Sequence, residues 1–166
     1  VLDTAGRAGT IVQICHTGRD PAVELEQVRL LIAHRVSTIL IAGSGHVEPA
    51  VTADLRDELA GFVRIGGRVA VIGRHHLQAD AVRPDNQAGG RTIATHIAAL
   101  GHRRLVLASG PRWLTTVEDR LAGMFDGLAA AGIDPATVPV VEAPFTVEGG
   151  HEAAARIMSE HPDATA

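Results

Sequence analysis

The feature that most constrains this chain is an alternation of two patterns along its length. Short apolar runs bounded by Gly, Pro, Asp or Asn give way to longer stretches whose apolar residues recur at three- and four-residue spacing. The first pattern suits strands and the second suits amphipathic helices, so strand and helix take turns. Strands are expected over 10–15, 36–42, 69–72, 105–108 and 138–142, with an extended segment running through Ala81 and Val82 to Pro84. Helices are expected over 21–34, 49–62, 87–100, 116–131 and 147–160. Asp20 and Pro21 supply an N-cap and a first helical residue, with Leu25, Val28, Leu31 and Ile32 on the buried face. The 36–42 run is almost continuously apolar and reads as a strand buried on both faces. Gly101 and Gly132 stop helices, and His161 with Pro162 ends the last one. Strands separated by helices pair in parallel through right-handed crossovers, which predicts α/β three-layer architecture.

With 166 residues and 46% hydrophobic content, the chain holds enough apolar surface for one large domain or two small lobes. The 80–86 stretch is the expected boundary between lobes, giving 1–82 and 83–166, because an extended segment turns into a helix there. A net charge of −4 argues against this segment neutralising nucleic-acid phosphates. Cys15 is the only cysteine, so no internal disulfide forms, and a reducing cytoplasm fits. No apolar run is long enough to cross a membrane as a helix, and no signal-peptide order opens the chain.

Enzyme signatures are weak. The run Gly43-Ser44-Gly45-His46-Val47-Glu48 follows an apolar strand, but Glu48 stands where a dinucleotide loop has its third glycine, and the chain has no lysine for a P-loop. The histidines number nine, yet their spacing matches no metal site, and adjacent His75 and His76 point in different directions on any regular backbone. No Gly-x-Ser-x-Gly elbow and no evident carboxylate pair are present. A binding protein without catalysis, cofactor or metal is therefore expected.

From Val82 the sequence reads VRPDNQAGGRTIATHIAALGHRRLVLASGP, then LTTVEDRLAGMFDGLAAAGI, then FTVEGGHEAAARIMSEHPDATA. These segments resemble the lactose/galactose-repressor family of bacterial transcription regulators. The likeness rests on an extended strand ending in Asp before a Gly-rich helix, the Leu100 to Arg103 turn into a strand, and the Arg120-Leu121-Ala122-Gly123 helix. The first half is similar too, with Asp20 and Pro21 opening a helix and VAVIGR preceding the crossover. The resemblance implies two Rossmann-like lobes of periplasmic-binding-protein type I that close on a small-molecule effector, a sugar or sugar derivative. It also implies a homodimer, and DNA contact through a helix-turn-helix module outside this chain. It further implies that the first strand of the first lobe lies outside, and that the next core strand starts at 163–166. An exported transport protein that binds sugar is the alternative reading.

Six residues are candidate effector contacts. Asp85 follows an extended segment and opens a helix, so it is either an N-cap or a carboxylate facing a cleft. Arg120 lies on an otherwise apolar helix and is either a surface group or, as the resemblance implies, a donor to effector oxygens, with Asp85 or the ligand as its partner. Thr116, in the loop entering that helix, serves either the helix terminus or a ligand. Trp113 and Phe145 fall in loops after strands, where an aromatic face packs on a sugar or a purine, or else packs between lobes. By resemblance Phe145 is the platform beneath the effector and Ser44 edges the cleft. Leu114, where some relatives carry a polar side chain, suggests a less charged ligand. Phe62 and Phe125 read as core.

Overall fold

A computed structural model describes all residues, 1–166. In chain order the elements are α1 (Leu2–Arg7), α2 (Pro21–Ala33), β1 (Thr38–Ala42), a 3-10 turn (Pro49–Thr52), α3 (Ala53–Arg64), β2 (Arg68–Ile72) and β3 (Asp80–Val82). They continue with α4 (Asn86–Ala99), β4 (Leu107–Ser109), α5 (Thr115–Ala130), a second 3-10 turn (Pro135–Thr137), β5 (Val140–Glu142) and α6 (Val147–Glu160). The strands form a three-stranded sheet in the order β1-β2-β3 and a two-stranded sheet, β4-β5. Both described pairings, β2 with β3 and β4 with β5, are parallel, as alternation of strand and helix requires.

The chain divides into two compact units. The first comprises Val1–Ile39 and Val51–Val69, the second Leu40–Ala50 and Ala70–Ala166. In the first unit, α2 starts where Asp20 accepts hydrogen bonds from Ala22 N at 2.8 Å and Val23 N at 3.3 Å, with Pro21 at the first helical position. Of its expected buried face only Val28 is fully covered, while Leu25, Leu31 and Ile32 are half-buried. Helix α2 packs on α3, which contributes buried Leu55, Leu59 and Phe62, and an Arg29–Glu58 ion pair at 2.8 Å joins the two. The Phe62 ring lies against Gly67, where a Cβ would run into it.

Two expectations fail in the first half of the chain. Residues 10–15 form no strand: Ile11 is 96% exposed, Ile14 is also exposed, and no neighbouring strand offers a ladder. Before it stands the short helix α1, which buries no side chain and so has no apolar face for periodicity to reveal. Strand β1 is not buried on both faces. Ile39 and Ile41 are covered while Thr38, Leu40 and Ala42 are exposed, so the apolar run hides an ordinary one-sided strand.

In the second unit, one apolar cluster joins Ala94, Ala98, Leu105, Leu128, Ile133 and Val138, and another joins Leu114, Val117 and Leu121. Helices α4 and α5 meet at glycines. A Cβ on Gly90 would run into the Arg120 carbonyl, one on Gly123 into the Gln87 carbonyl, and one on Gly127 would lie 2.7 Å from the Arg91 carbonyl. Each helix stops as anticipated, at Gly101 (φ +93°) and Gly132 (φ +76°). The final residues lie against the segment before β4, Thr165 N donating to Arg104 O at 2.8 Å and Val106 N to Ala166 O at 3.0 Å, but they form no strand. Phe62 is buried as anticipated and Phe125 half-buried.

The glycine contacts give a differential test. Gly123→Ala overpacks the α4–α5 contact and is expected to lower unfolding free energy by about 1–3 kcal/mol. Gly89→Ala, in the same helix pair but with open space around the new methyl, is expected to raise it by up to about 1 kcal/mol through helix propensity. Urea unfolding of the two variants beside the parent measures both, and equal effects would refute the packing argument.

Candidate functional site

The second unit gathers the loops that follow the strands. Gly43 (φ +126°) ends β1 and Gly73 (φ +118°) ends β2, and a Cβ on Gly73 would strike the Gly43 carbonyl. Gly43 N donates to Ile72 O at 3.0 Å and Gly73 N to Val82 O at 2.9 Å, so the strand ends stay in line. The loop at 43–47 is thereby delivered to the start of α5.

Helix α5 begins without a cap of its own, because its N-cap residue is Leu114, which has no side-chain acceptor. The loop after β1 supplies the missing acceptors: Thr115 N donates to Gly45 O at 2.9 Å, and Thr116 N donates to Ser44 Oγ at 3.0 Å. Ser44 Oγ also lies 3.3 Å from Thr115 Oγ1, which donates to Arg74 O at 2.8 Å. Thr115 is 0% exposed, so its hydroxyl is satisfied wholly inside the protein. Arg74 completes the knot, since its guanidinium bonds Asp119 at 2.9 and 3.0 Å and the Thr115 carbonyl at 3.3 Å.

Aromatic and imidazole groups border this knot. Trp113 stacks on His46 with ring centroids 4.8 Å apart and planes 19° from parallel, and Val47 N donates to Trp113 O at 2.8 Å. His75 Nε2 lies 3.1 Å from Gly43 O, and His76 Nε2 lies 3.2 Å from Val47 O. A carbonyl only accepts, so both imidazoles carry their proton on Nε2. Burial pushes the His75 pKa below the ordinary 6.5, the bond to Gly43 opposes this, and nearby His46 and His76 add to the depression. His46 is also lowered by burial.

The six expected contacts fall in three places. Ser44, Trp113 and Thr116 come together at the start of α5, where Ser44 and the Thr116 backbone serve the helix terminus. Asp85 caps α4 through Ala88 N at 2.8 Å. Arg120 reaches the same helix end but donates to Asn86 Oδ1 at 3.0 Å, one residue beyond Asp85. Phe145, 45% exposed, covers Gly110, whose missing side chain makes room for the ring. Leu114 is 0% exposed and packs with Val117 and Leu121, so it carries no information about ligand charge. Arg74, Thr115, Asp119 and His75 were missed by sequence reasoning. The only local signal was a threonine pair next to an Asp-Arg pair, whose distant partners no spacing reveals.

Residues 2–166 match the family model described as periplasmic binding proteins and sugar binding domain of LacI family. The chain belongs to this family. A Streptomyces limosus protein, named as an uncharacterized HTH-type transcriptional regulator in the aml 5' region, is 32% identical over 84% of this chain and 40% of its own length. The crystal structure of a LacI-family transcriptional regulator from Burkholderia phymatum superposes with a TM-score of 0.69 at 27% identity, covering 91% of this chain and 52% of that one. A periplasmic binding protein/LacI transcriptional regulator from Alkaliphilus metalliredigens, complexed with D-xylulofuranose, gives a TM-score of 0.70 at 24% identity over 88% of this chain and 50% of that one. This LacI-family chain has the periplasmic-binding-protein type I fold and spans less than half of its Streptomyces relative.

For this family member, the imidazole environment sets a pH response. A His75 that resists protonation when folded lets the unfolded chain bind the proton more readily below 6.5. The stability that this group contributes is therefore full above that value and is lost as pH falls through and below it. His75→Asn, which still offers a donor to Gly43 O, is expected to flatten the fall in urea midpoint over this range, and an unchanged slope would refute the assignment.

Proposed function

We propose that the chain is the effector-binding core of a DNA-binding transcription regulator, a repressor, and that it senses a sugar or sugar derivative without turning it over. In this reading 1–82 and 83–166 are the two lobes, joined at the crossover before α4. DNA is contacted through a helix-turn-helix module outside these residues, the regulator is a cytoplasmic homodimer, and effector binding shifts the population of lobe arrangements that the dimer passes to DNA. The observation that carries the proposal is the set of ligand-type groups gathered at the ends of the strands and the starts of α4 and α5. Trp113 and Phe145 expose aromatic faces, 44% and 45% respectively. Thr116 stands half-buried at the start of α5, and Arg120 is exposed and donates to the neutral amide of Asn86. Aromatic faces take the C–H face of a sugar while hydroxyl and guanidinium groups read its oxygens. The family match and the sugar in the Alkaliphilus structure support this class of ligand. The net charge of −4 supports placing DNA contact elsewhere.

Calorimetric titration of the intact regulator with pentoses, hexoses, sugar phosphates and nucleosides tests the reading. Saturable binding of one sugar class without product formation is expected. Arg120→Ala should weaken that binding about 10- to 100-fold, the usual worth of a hydrogen bond from a charged donor. Asp85→Ser keeps an α4 cap and removes the carboxylate, so it separates ligand contact from capping. Binding that survives both substitutions and Phe145→Ala would overturn the site, and turnover of any titrant would overturn the function.

A further inference from the structure

Three candidates stand outside the effector groups: the apolar cavity of about 140 Å³ lined by Ala94, Ile97, Leu105, Met124, Leu128 and Ala166, the acidic and basic groove between α2 and α3, and the polar knot at the start of α5. Only the knot is specified by its own contacts. It joins residues far apart in sequence, Ser44 and Arg74 on one side and Thr115, Asp119 and the Thr116 backbone on the other, and the side chains of Ser44, Arg74, Thr115 and Asp119 each make two or more of its bonds.

We propose that Arg74, Asp119, Thr115 and Ser44 form a clasp between the two lobes, which holds a share of the molecules closed before any effector arrives. This rests on the lobe assignment given above, which puts Ser44 and Arg74 in 1–82 and the other two in 83–166; in the closed arrangement described here all four lie within the second compact unit. Three observations argue that the knot opens and closes rather than serving as core. First, the two apolar clusters of the second unit take no side chain from 40–50 or 70–82; their members lie between Ala94 and Val140. Apart from the His46–Trp113 ring stack, the described attachment of the β1 and β2 loops to the start of α5 is thus polar, and polar contacts exchange with water at small net cost. Second, Arg74 and Asp119 are half-buried, so the ion pair is strong enough to bias an equilibrium and accessible enough to break. Third, opening would strip α5 of the acceptors that satisfy Thr115 N and Thr116 N and leave both to water, which makes closure favourable without making it irreversible. Arg74 and Asp119 are therefore positioning residues. Their charges are spent on each other, and they act on effector affinity by setting the fraction of molecules already closed.

The chain carries its own reporter, since Trp113 is its only tryptophan and sits stacked on His46 across the same boundary. Without ligand, Asp119→Asn and Arg74→Gln are each expected to move Trp113 emission to the red and raise its quenching by acrylamide, reflecting about a fivefold rise in the open-to-closed ratio. The double substitution should add little to either single one. The exchanged pair, Arg74→Asp with Asp119→Arg, should restore most of the parent signal, and high salt should mimic the single variants. Arg74→Lys keeps the charge but loses the two-pronged geometry and should fall between parent and Arg74→Gln. In titrations, Asp119→Asn should weaken every ligand that binds by the same factor, leaving their ranking unchanged.

Unchanged emission and quenching in Asp119→Asn and Arg74→Lys, with parental circular dichroism, would overturn the clasp. The two proposals fail separately. A panel in which no sugar binds while quenching rises sinks the effector reading and leaves the clasp, and a sugar that binds while quenching stays fixed does the reverse.

Discussion

The second unit is organised around how closely α4 and α5 approach. Gly90, Gly123 and Gly127 let backbone meet backbone, with the Arg120, Gln87 and Arg91 carbonyls occupying the space where side chains would be. That contact fixes the register of one helix on the other, and two later features follow from it. The N-terminus of α4, with Asp85 and Asn86, is brought beside Arg120, and the N-terminus of α5 is presented at the ends of the strands. Outside the contact, the Arg91–Asp126 pair and the Gln87–Asp126 bond trim its exposed edge and hold the Asp126 carboxyl below its ordinary range. Being exposed, they add little stability and serve mainly to define the edge.

A helix presented in this way still has unsatisfied backbone donors, and the means of satisfying them decides what the surrounding loops can do. Helix α4 uses its own Asp85 and α6 its own Thr146, so each terminus is self-sufficient. Helix α5 begins instead at Leu114, whose side chain goes into the core. It borrows Ser44 Oγ and Gly45 O from a loop about 70 residues earlier in the chain. Local caps make a helix independent of its neighbours, while a borrowed cap makes its first turn depend on where another segment stands. Trp113 and Thr116 flank Leu114 and Thr115 on the same turn, so the two residues proposed to face an effector and the borrowed contacts share one stretch of backbone.

These differences explain what the sequence disclosed and what it concealed. Helix α2 was legible nearly to the residue, because Asp20-Pro21 is a local signal at a position where propensity and packing agree, and α6 from its spacing and its His161-Pro162 end. The parallel pairing was legible from alternation alone. The burial of β1 was not, since a run of Thr, Ile, Leu, Ile and Ala looks the same whether one or both faces are covered. Residues 10–15 have strand-like composition, but a strand also needs a ladder partner, and composition does not report one. At the candidate site, Ser44, Trp113, Thr116, Asp85, Arg120 and Phe145 were singled out through loop position and resemblance. Thr115, Arg74 and Asp119 were hidden because their chemistry exists only as pairs 41 or 45 residues apart in sequence.

The burial of Leu114 sharpens the contrast between residues that hold the site and residues that face outward from it. Along 113–116, Trp113 is open, Leu114 and Thr115 are closed, and Thr116 is half-buried. The two closed positions differ in kind. Leu114 contributes apolar area, a contribution that changes little with conformation as long as the core stays intact. Thr115 contributes a hydroxyl between Ser44 and the Arg74 carbonyl, and its value vanishes when those partners move. One side chain therefore anchors α5 to its own core, and the next makes the helix sensitive to segments beyond it. Adjacent placement of an insensitive anchor and a sensitive contact lets a small displacement of the 43–47 loop be felt at the first turn of α5 without unfolding the helix.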